Sequence, residues 1–243
     1  MAAKAKRKPG SISTHSARFP GESAGYRTAR TRLLKAEMDL RRNLEKVAAM
    51  RRRLPLGGPV PEDYVFEEGA ANLDDTESVR RVRLTELFRG AKRSLVVYSF
   101  MYAPDAEHPC PMCTSILDGL NGSAPHVQDR VNLAVVAKAP IERIRGWASK
   151  RGWNNLRLLS SRNNTYNVDY HAETADGAQW PAINVFRKTA GGIFHFYNAE
   201  LFYAPTDPGQ HPRHADLIWP VWNLFDLTPD GRGTDWFPKF SYA

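Results

Sequence analysis

The two cysteines of this chain lie three positions apart, at Cys110 and Cys113, and the sequence contains no others. Two thiols at this spacing can form a reversible disulfide, bind a metal ion or form a buried pair without turnover. Each kind of chemistry depends on ionisation, because the thiolate and not the thiol attacks disulfides and binds metals. The sequence around the pair must therefore decide between these alternatives.

The setting of the motif favours a redox function. An apolar run over residues 95–101 predicts a buried strand just before it, and Pro111 suits the first turn of a helix. A sulfur at a helix start lies beside free backbone N–H groups and the positive end of the helix dipole, which favour the anion. We expect Cys110 to attack a disulfide and Cys113, one turn further on, to resolve the mixed disulfide. His108 would lower the pKa of Cys110 further if cationic, but a solvated loop histidine is the commoner case.

The elements that must position the cysteines alternate between strand-like and helix-like segments, which predicts an α/β layer fold. Short strands at 64–66 and 79–84, a helical turn at 85–90 and a strand at 94–101 precede the motif. A helix at 111–120, a buried strand at 131–136, a helix at 140–150 ended by Gly152, and a strand at 156–159 follow it. A hairpin at 180–197 and a closing helix at 216–225 complete the order.

Charge is concentrated at the start of the chain. The net charge is +8, but residues 1–54 hold 15 basic and 4 acidic side chains, and the remainder holds 19 and 22. We expect residues 1–25 to be a disordered basic leader and residues 26–58 to be an amphipathic helical arm. Leu33, Leu40 and Val47 recur every seven residues in this arm. A narrow apolar stripe must dock on its own domain or on a second copy, which would give a homodimer.

The basic arm also raises nucleic-acid binding as a function of a different class, through contacts with phosphates. It contains few aromatic residues and no recognised DNA-binding motif, so a solvated helix face is favoured. No apolar run approaches the roughly 20 residues that a membrane helix needs, so no membrane association is expected. The first residues are too polar for a signal peptide, and two cysteines make a poor structural staple. We expect a cytoplasmic protein.

The chain also resembles the thioredoxin-like superfamily. Its Cys-Pro-Met-Cys element is similar to the Cys-Pro-aromatic-Cys of glutaredoxins, and Trp180-Pro181 ahead of an apolar strand resembles the cis-proline that faces the cysteines there. From Leu33 onwards the chain resembles a bacterial family of predicted dithiol-disulfide oxidoreductases, long catalogued as a domain of unknown function. The elements that carry this resemblance are Arg52-Arg53-Leu54-Pro55, Leu84-Thr85-Glu86-Leu87-Phe88, Arg151-Gly152-Trp153, Leu158-Leu159-Ser160-Ser161, Tyr166-Asn167-Val168-Asp169-Tyr170, His195-Phe196-Tyr197 and Asp226-Leu227-Thr228-Pro229.

The resemblance implies a thioredoxin-like fold over residues 59–243, with a central mixed sheet flanked by helices and a C-terminal extension. It also implies a dithiol-disulfide oxidoreductase with Cys110 as nucleophile, Cys113 as resolving thiol and Pro181 as the backbone platform that orients an incoming disulfide. Such an enzyme would act on a disulfide-containing protein or a low-molecular-weight thiol such as glutathione. No cofactor and no metal are predicted.

A zinc site is an alternative for the cysteine pair. His108 would supply a third ligand, and the candidates for a fourth are His126, His195, His211 and His214. Apart from a weak His211-Pro-Arg-His214 spacing, the chain lacks the second paired unit that zinc sites of this kind contain. Redox chemistry is therefore favoured over metal binding.

A peroxiredoxin-like peroxidase is a weaker alternative. Peroxiredoxins place a threonine or serine three residues before the peroxidatic cysteine, and this chain has Glu107 at that position. The sequence also identifies no proton acceptor for Cys113, because Asp118 and Glu107 are candidates by position alone. We therefore predict disulfide exchange rather than peroxide reduction.

Overall fold

The computed structural model describes residues 18–209 and 213–242. The chain divides into two units, Met1–Leu54 and Pro55–Ala243. Most of the predicted leader therefore lies outside the described residues. No helix in the described ranges combines the length and the apolarity that crossing a bilayer would require.

The first unit contains one long helix among its described residues, α1 (Ala24–Arg52). Ser23 caps its start by accepting a hydrogen bond from the backbone N–H of Tyr26 at 3.1 Å. Arg51 and Arg52 occupy its last turn, where the helix dipole favours cations. The predicted N-terminal helix is confirmed, and its pairing with a second copy stays a prediction.

The second unit consists of a sheet flanked by helices. Its strands are β1 (Val65–Gly69), β2 (Val79–Arg83), β3 (Ser94–Ser99), β4 (Asn132–Ala137), β5 (Leu158–Ser160), β6 (Ala182–Thr189) and β7 (Gly192–Asn198). Its α-helices are α2 (Pro111–Arg130), α3 (Ile141–Arg151), α4 (Tyr166–Asp169) and α5 (Val221–Phe225), and short 3₁₀ turns cover Leu84–Leu87 and Glu200–Phe202.

The strands of this unit form one mixed sheet in the order β2-β1-β5-β4-β3-β6-β7. β3 pairs in parallel with β4, and β4 pairs in parallel with β5, whereas the other pairs are antiparallel. The helix after the cysteines therefore joins two parallel central strands, and an antiparallel hairpin lies on the other side of β3. This arrangement confirms the predicted central mixed sheet flanked by helices.

Alternation along β3 divides the core into two layers. Leu95 and Val97 belong to the cluster on one face of the sheet, with Phe66, Tyr166 and Phe186. Tyr98 and Phe100 belong to the cluster on the opposite face, which also contains side chains of the two long helices α2 and α3. The cysteine motif therefore starts the helix that covers the Tyr98 face.

The helix after the cysteines is longer than the sequence predicts. It was expected to end near Leu120 because Asn121-Gly122 follows, yet α2 continues to Arg130 with Pro125 inside it. Pro125 has no N–H to bond the Asn121 carbonyl, and that carbonyl accepts a hydrogen bond from the Asn155 side chain at 3.2 Å instead. A contact from a distant loop thus satisfies the backbone group that the proline leaves open.

The C-terminal segment covers the same face of the sheet. The expected closing helix at 216–225 is shorter, since α5 begins at Val221. Trp219 and Trp222 are buried in the cluster that contains the two long helices, and the Trp219 indole donates to the Ser115 hydroxyl at 3.1 Å. Further on, the carbonyl of Phe240 accepts from Arg151 at 2.8 Å. The extension predicted from the sequence is therefore part of the core.

Candidate active site

Cys110 is the N-cap residue of α2, and its backbone is extended. Its N–H donates to the carbonyl of Met101 at 3.0 Å, which closes the loop between β3 and α2. Its own carbonyl accepts from the backbone N–H and the hydroxyl of Thr114, both at 3.0 Å. The sequence prediction that the motif joins a central strand to a helix start is correct, and the backbone on both sides of Cys110 is fixed.

The sulfur of Cys110 accepts the backbone N–H of Cys113 at 3.4 Å. Pro111 occupies the first turn, where its missing N–H costs no hydrogen bond. A hydrogen bond from the Cys113 thiol, with smaller contributions from the backbone N–H groups of Cys113 and Met112, lowers the pKa of Cys110 to about 6, although burial opposes this. Cys110 is therefore largely a thiolate at neutral pH.

Cys113 has the opposite electrostatic environment. It is 2% exposed and in the free thiol form, and its side chain lies 3.5 Å from that of Cys110. The hydrogen bond with Cys110, then burial, then the Cys110 charge raise the pKa of Cys113 well above its usual value. Cys110 is thus half-buried and favoured as the anion, whereas Cys113 is a buried thiol, and an attacking and a resolving cysteine differ in this way.

The loop that carries the motif is held by α3. The guanidinium of Arg143 donates to the carbonyls of Pro104, at 2.5 Å, and Ala106, and it lies 5.0 Å from the ring centre of Tyr102. The Tyr102 carbonyl in turn accepts the N–H of Ala139 at 2.8 Å. These contacts fix the loop between β3 and α2 to the neighbouring parallel strand and its helix.

The acidic and basic side chains near the motif do not act on the Cys110 sulfur. Glu107 is 89% exposed and pairs with His108 at 3.6 Å, and His108 packs against Trp147 and Phe240. The groups that set the pKa of Cys110 are the thiol and backbone groups of the motif, and His108 is not among them. The expectation that His108 is a solvated loop histidine is closer to the structure than an activating role.

The peptide bond before Pro181 differs from the predicted cis form. The Trp180–Pro181 peptide bond is trans, so the expected cis-proline is wrong. Its position is as expected, since Ala182 pairs with Ser99 at the end of β3 from which the cysteine loop departs. The Tyr203 hydroxyl donates to the Pro181 carbonyl at 2.6 Å, and the Tyr203 ring packs on Trp180. Pro181 has no backbone N–H to donate, and its carbonyl already accepts the hydrogen bond from Tyr203.

Replacement of Pro181 by alanine is therefore expected to change the rate at which the Cys110 thiolate reacts with oxidised glutathione by less than about twofold, as for substitutions outside a site. The measurement is this reaction in the full-length protein, with Tyr203→Phe as a matched variant that frees the Pro181 carbonyl. A loss of more than tenfold in Pro181→Ala alone would return a substrate-orienting role to this proline.

The described part of the chain contains no cluster of side chains that would support the alternative of a zinc site. Within residues 18–209 and 213–242, no three His, Cys, Asp or Glu side chains are grouped closely enough to hold a metal ion. His195 instead lies 3.0 Å from the side chain of Asn184. His211, one of the predicted ligands, lies outside the described residues.

The fold and the site thus define an α/β protein with a cysteine pair at the start of the helix that follows a central strand. A family model described as "Bacterial protein of unknown function (DUF899)" matches residues 16–242, and the chain belongs to this family. The resemblance to a bacterial family catalogued as a domain of unknown function is confirmed. Among curated proteins, none matches the chain in sequence.

Solved structures with a similar fold include several peroxiredoxins. The reduced 2-Cys peroxiredoxin of Plasmodium vivax is 20% identical, with 59% of this chain and 83% of that chain covered and a TM-score of 0.41. AhpC of Enterococcus faecalis is 13% identical, covering 73% and 96%, with a TM-score of 0.43. The 1-Cys peroxiredoxin of Plasmodium falciparum is 12% identical, covering 72% and 96%, with a TM-score of 0.45. All three are similarities of fold at sequence identities of 20% or less.

Sequence reasoning missed the residues around Cys113. Tyr98 on β3 is 1% exposed and affects the charge state of Cys113, as does the backbone of Met101. Strand alternation could have identified Tyr98, because Tyr98 and Phe100 must share the face that α2 covers.

The candidate proton acceptor Asp118 is engaged elsewhere, since it accepts hydrogen bonds from Arg151 at 3.1 Å and from the Trp153 indole at 2.8 Å.

Proposed function

We propose that this protein is a dithiol-disulfide oxidoreductase that works by thiol-disulfide exchange. The observation that carries the proposal is the unequal cysteine pair. The Cys110 sulfur is an N-cap acceptor with a pKa of about 6, and Cys113 is a buried thiol 3.5 Å away. A thiolate beside a second thiol is the arrangement that exchange requires.

The reaction proceeds in two displacements. The Cys110 thiolate attacks one sulfur of a substrate disulfide R–S–S–R, forms a Cys110–S–S–R bond and releases the first R–S⁻. Cys113 then attacks the Cys110 sulfur, the Cys110–Cys113 disulfide forms, and the second R–S⁻ leaves and takes up the proton that Cys113 loses. The substrate disulfide is reduced by two electrons and the cysteine pair is oxidised by two. No cofactor takes part.

The substrates we propose are a disulfide-containing protein or the glutathione couple, in the cytoplasm, where a close pair of this kind is kept reduced between turnovers. Glu107 supports exchange over peroxide reduction, because its side chain is 89% exposed and makes no hydrogen bond with the Cys110 sulfur. The basic helix α1 takes no part in this proposal.

Trapping tests the proposal. Reduced Cys113→Ser protein, mixed with oxidised glutathione or with insulin as a protein disulfide, is expected to accumulate a mixed disulfide at Cys110 that mass spectrometry detects. The matched Cys110→Ser variant should form none, and the wild type should pass to an internal disulfide. The absence of both the adduct and the internal disulfide would overturn the proposal. One equivalent of zinc in freshly purified protein, lost on mutation of either cysteine, would overturn it in favour of a metal site.

A further inference from the structure

The second displacement poses a problem that the cysteines alone do not solve. Cys113 must become an anion to attack, but it is 2% exposed and its pKa is raised. Neither acidic side chain near it in sequence can assist, because Asp118 is held by Arg151 and Trp153 and Glu107 is 89% exposed. Stabilisation of the Cys113 thiolate must come from elsewhere.

Tyr98 supplies a polar group in the right place. It lies on β3, points to the face that α2 covers, and belongs with Cys113 to one core cluster. Its hydroxyl is buried and has no hydrogen-bond partner at normal geometry while Cys113 is a thiol. Buried hydroxyls are nearly always paired, so this one is a donor that the reduced state leaves unused.

A second donor approaches from the backbone. The backbone of Met101 favours the thiolate of Cys113 and so opposes the rise in its pKa, and the Met101 carbonyl accepts the N–H of Cys110. The residue that follows β3 by two positions therefore contacts both cysteines. Together with Tyr98, it places an O–H and an N–H beside the buried sulfur.

We propose that the Tyr98 hydroxyl, together with the Met101 amide, donates a hydrogen bond to the Cys113 thiolate as it forms and so accelerates resolution of the mixed disulfide. This inference rests on the proposed function. Tyr98 keeps its proton throughout, because burial, and then the charge of Cys113, raise the pKa of the phenol well above its usual value. The proton that Cys113 loses ends on the departing R–S⁻, and Tyr98 is neither oxidised nor deprotonated.

The other charged and titratable groups near the motif do not supply a hydrogen-bond donor to the Cys113 thiolate. On α2, Cys110 carries no charge once it is in the mixed disulfide, so the repulsion that it exerts in the reduced state disappears. On α3, Arg143 is engaged by loop carbonyls. Tyr203, just after the second 3₁₀ turn, contributes to the raised pKa of Tyr98. Burial raises the pKa of Tyr203 itself to about 12. Tyr98 is therefore the neutral donor that remains beside the sulfur.

The test separates the two displacements in time. Reduced full-length protein is mixed rapidly with oxidised glutathione over a range of pH, and both the adduct and the internal disulfide are followed after acid quenching. Tyr98→Phe should slow resolution about tenfold, as expected for one hydrogen bond to a charged group, and move its pH midpoint upwards. The first displacement should change by less than about twofold.

Tyr166→Phe is the matched control. Tyr166 is also fully buried with an unpaired hydroxyl, but it belongs to the cluster on the opposite face of the sheet. A second measurement applies in the Cys110→Ser background, where Cys113 is the remaining thiol: the pKa of Cys113, read from thiolate absorbance, should rise when Tyr98→Phe is added. Equal effects of both Tyr→Phe changes, or an unchanged resolution profile, would overturn the role of Tyr98. Absence of the first displacement in the wild type would instead overturn the proposed function.

Discussion

Alkylation of the reduced protein at pH 7 is expected to modify Cys110 about a hundred times faster than Cys113, with a rate that rises about a midpoint near pH 6. A group with a pKa of about 6 is about 0.9 ionised at pH 7, whereas a thiol with a pKa at or above 9.0 is about 0.01 ionised or less. Burial of Cys113 adds to the contrast, since only 2% of it is exposed.

The measurement is iodoacetamide labelling followed by mass spectrometry of the intact protein and its peptides, at several pH values. Cys113→Ala should show a single labelling phase with a higher midpoint, because the thiol that donates to Cys110 is gone. Cys110→Ser should label slowly because Cys113 is only 2% exposed. Equal labelling of the two cysteines in the wild type, or a midpoint near 9, would contradict the assignment of Cys110 as the nucleophile.

The lowered pKa of Cys110 has a cost in intrinsic reactivity. A fall from 9.0 to about 6 raises the thiolate fraction about 90-fold at pH 7, but with a Brønsted slope of about 0.4–0.5 each thiolate attacks roughly 16- to 32-fold more slowly. The net gain in the rate of attack by Cys110 is about three- to sixfold at pH 7 and about 15- to 30-fold at pH 6. The lowered pKa therefore increases the reactivity of Cys110 most under mildly acidic conditions.

Replacement of Glu68 by alanine is expected to lower the free energy of unfolding by about 3–5 kcal/mol, because it leaves Arg157 buried without its partner. Glu68 lies on β1 and its side chain is 7% exposed. It accepts from Arg157, which is 12% exposed, at 2.6 and 3.0 Å, and from Arg80, which is 64% exposed, at 2.8 Å. The pair links the antiparallel edge of the sheet to the segment before β5.

Chemical denaturation measures the loss in the free energy of unfolding. Two further variants test whether the unpaired charge of Arg157 causes this loss. Arg80→Met should cost only about 0–1 kcal/mol, because the Arg80 side chain is largely exposed. The double variant Glu68→Met with Arg157→Met should recover most of the loss, because well-packed apolar side chains often replace a buried ion pair without cost. A double variant as unstable as Glu68→Ala would show that packing, and not the uncompensated charge, determines the result.

The effect of Glu68 should also depend on pH. Burial raises the pKa of this carboxyl, but hydrogen bonds from Arg157 and Arg80 outweigh it and leave the pKa below its usual value of 4.5. A folded-state pKa below that of the unfolded chain gives stability that is fully present above pH 4.5. This stability is lost as the pH falls through the folded-state value. The difference between the wild type and Glu68→Ala should therefore narrow on acidification below pH 4.5.

The sequence predicted the parts of the structure that local chemistry determines. The position of Cys110 at a helix start follows from the apolar strand before it and from Pro111 directly after it. The end of α3 follows from Gly152, whose φ of 69° suits a residue without a Cβ. Burial of both central strands follows from their continuous apolar runs. In each case a few neighbouring residues contain the whole physical reason.

The errors arose where distant residues decide the outcome. α2 continues through Pro125 because Asn155, thirty positions later, bonds the carbonyl that the proline leaves open. The trans state of Trp180–Pro181 accompanies contacts with Tyr203, more than twenty positions later, and the intrinsic preference between the isomers is only about 0.5–1 kcal/mol. Preferences of that size are set by tertiary contacts that a local pattern does not contain.

The hydrogen bond from Trp219 to Ser115 has a consequence for biosynthesis. The two residues are 104 positions apart, so the first turn of α2 emerges from the ribosome long before the segment that covers it. Closing so long a loop is slow and entropically costly, and such contacts form late in folding. During that interval Cys113, which shares a core cluster with Trp219, lacks part of the packing that buries it in the folded protein.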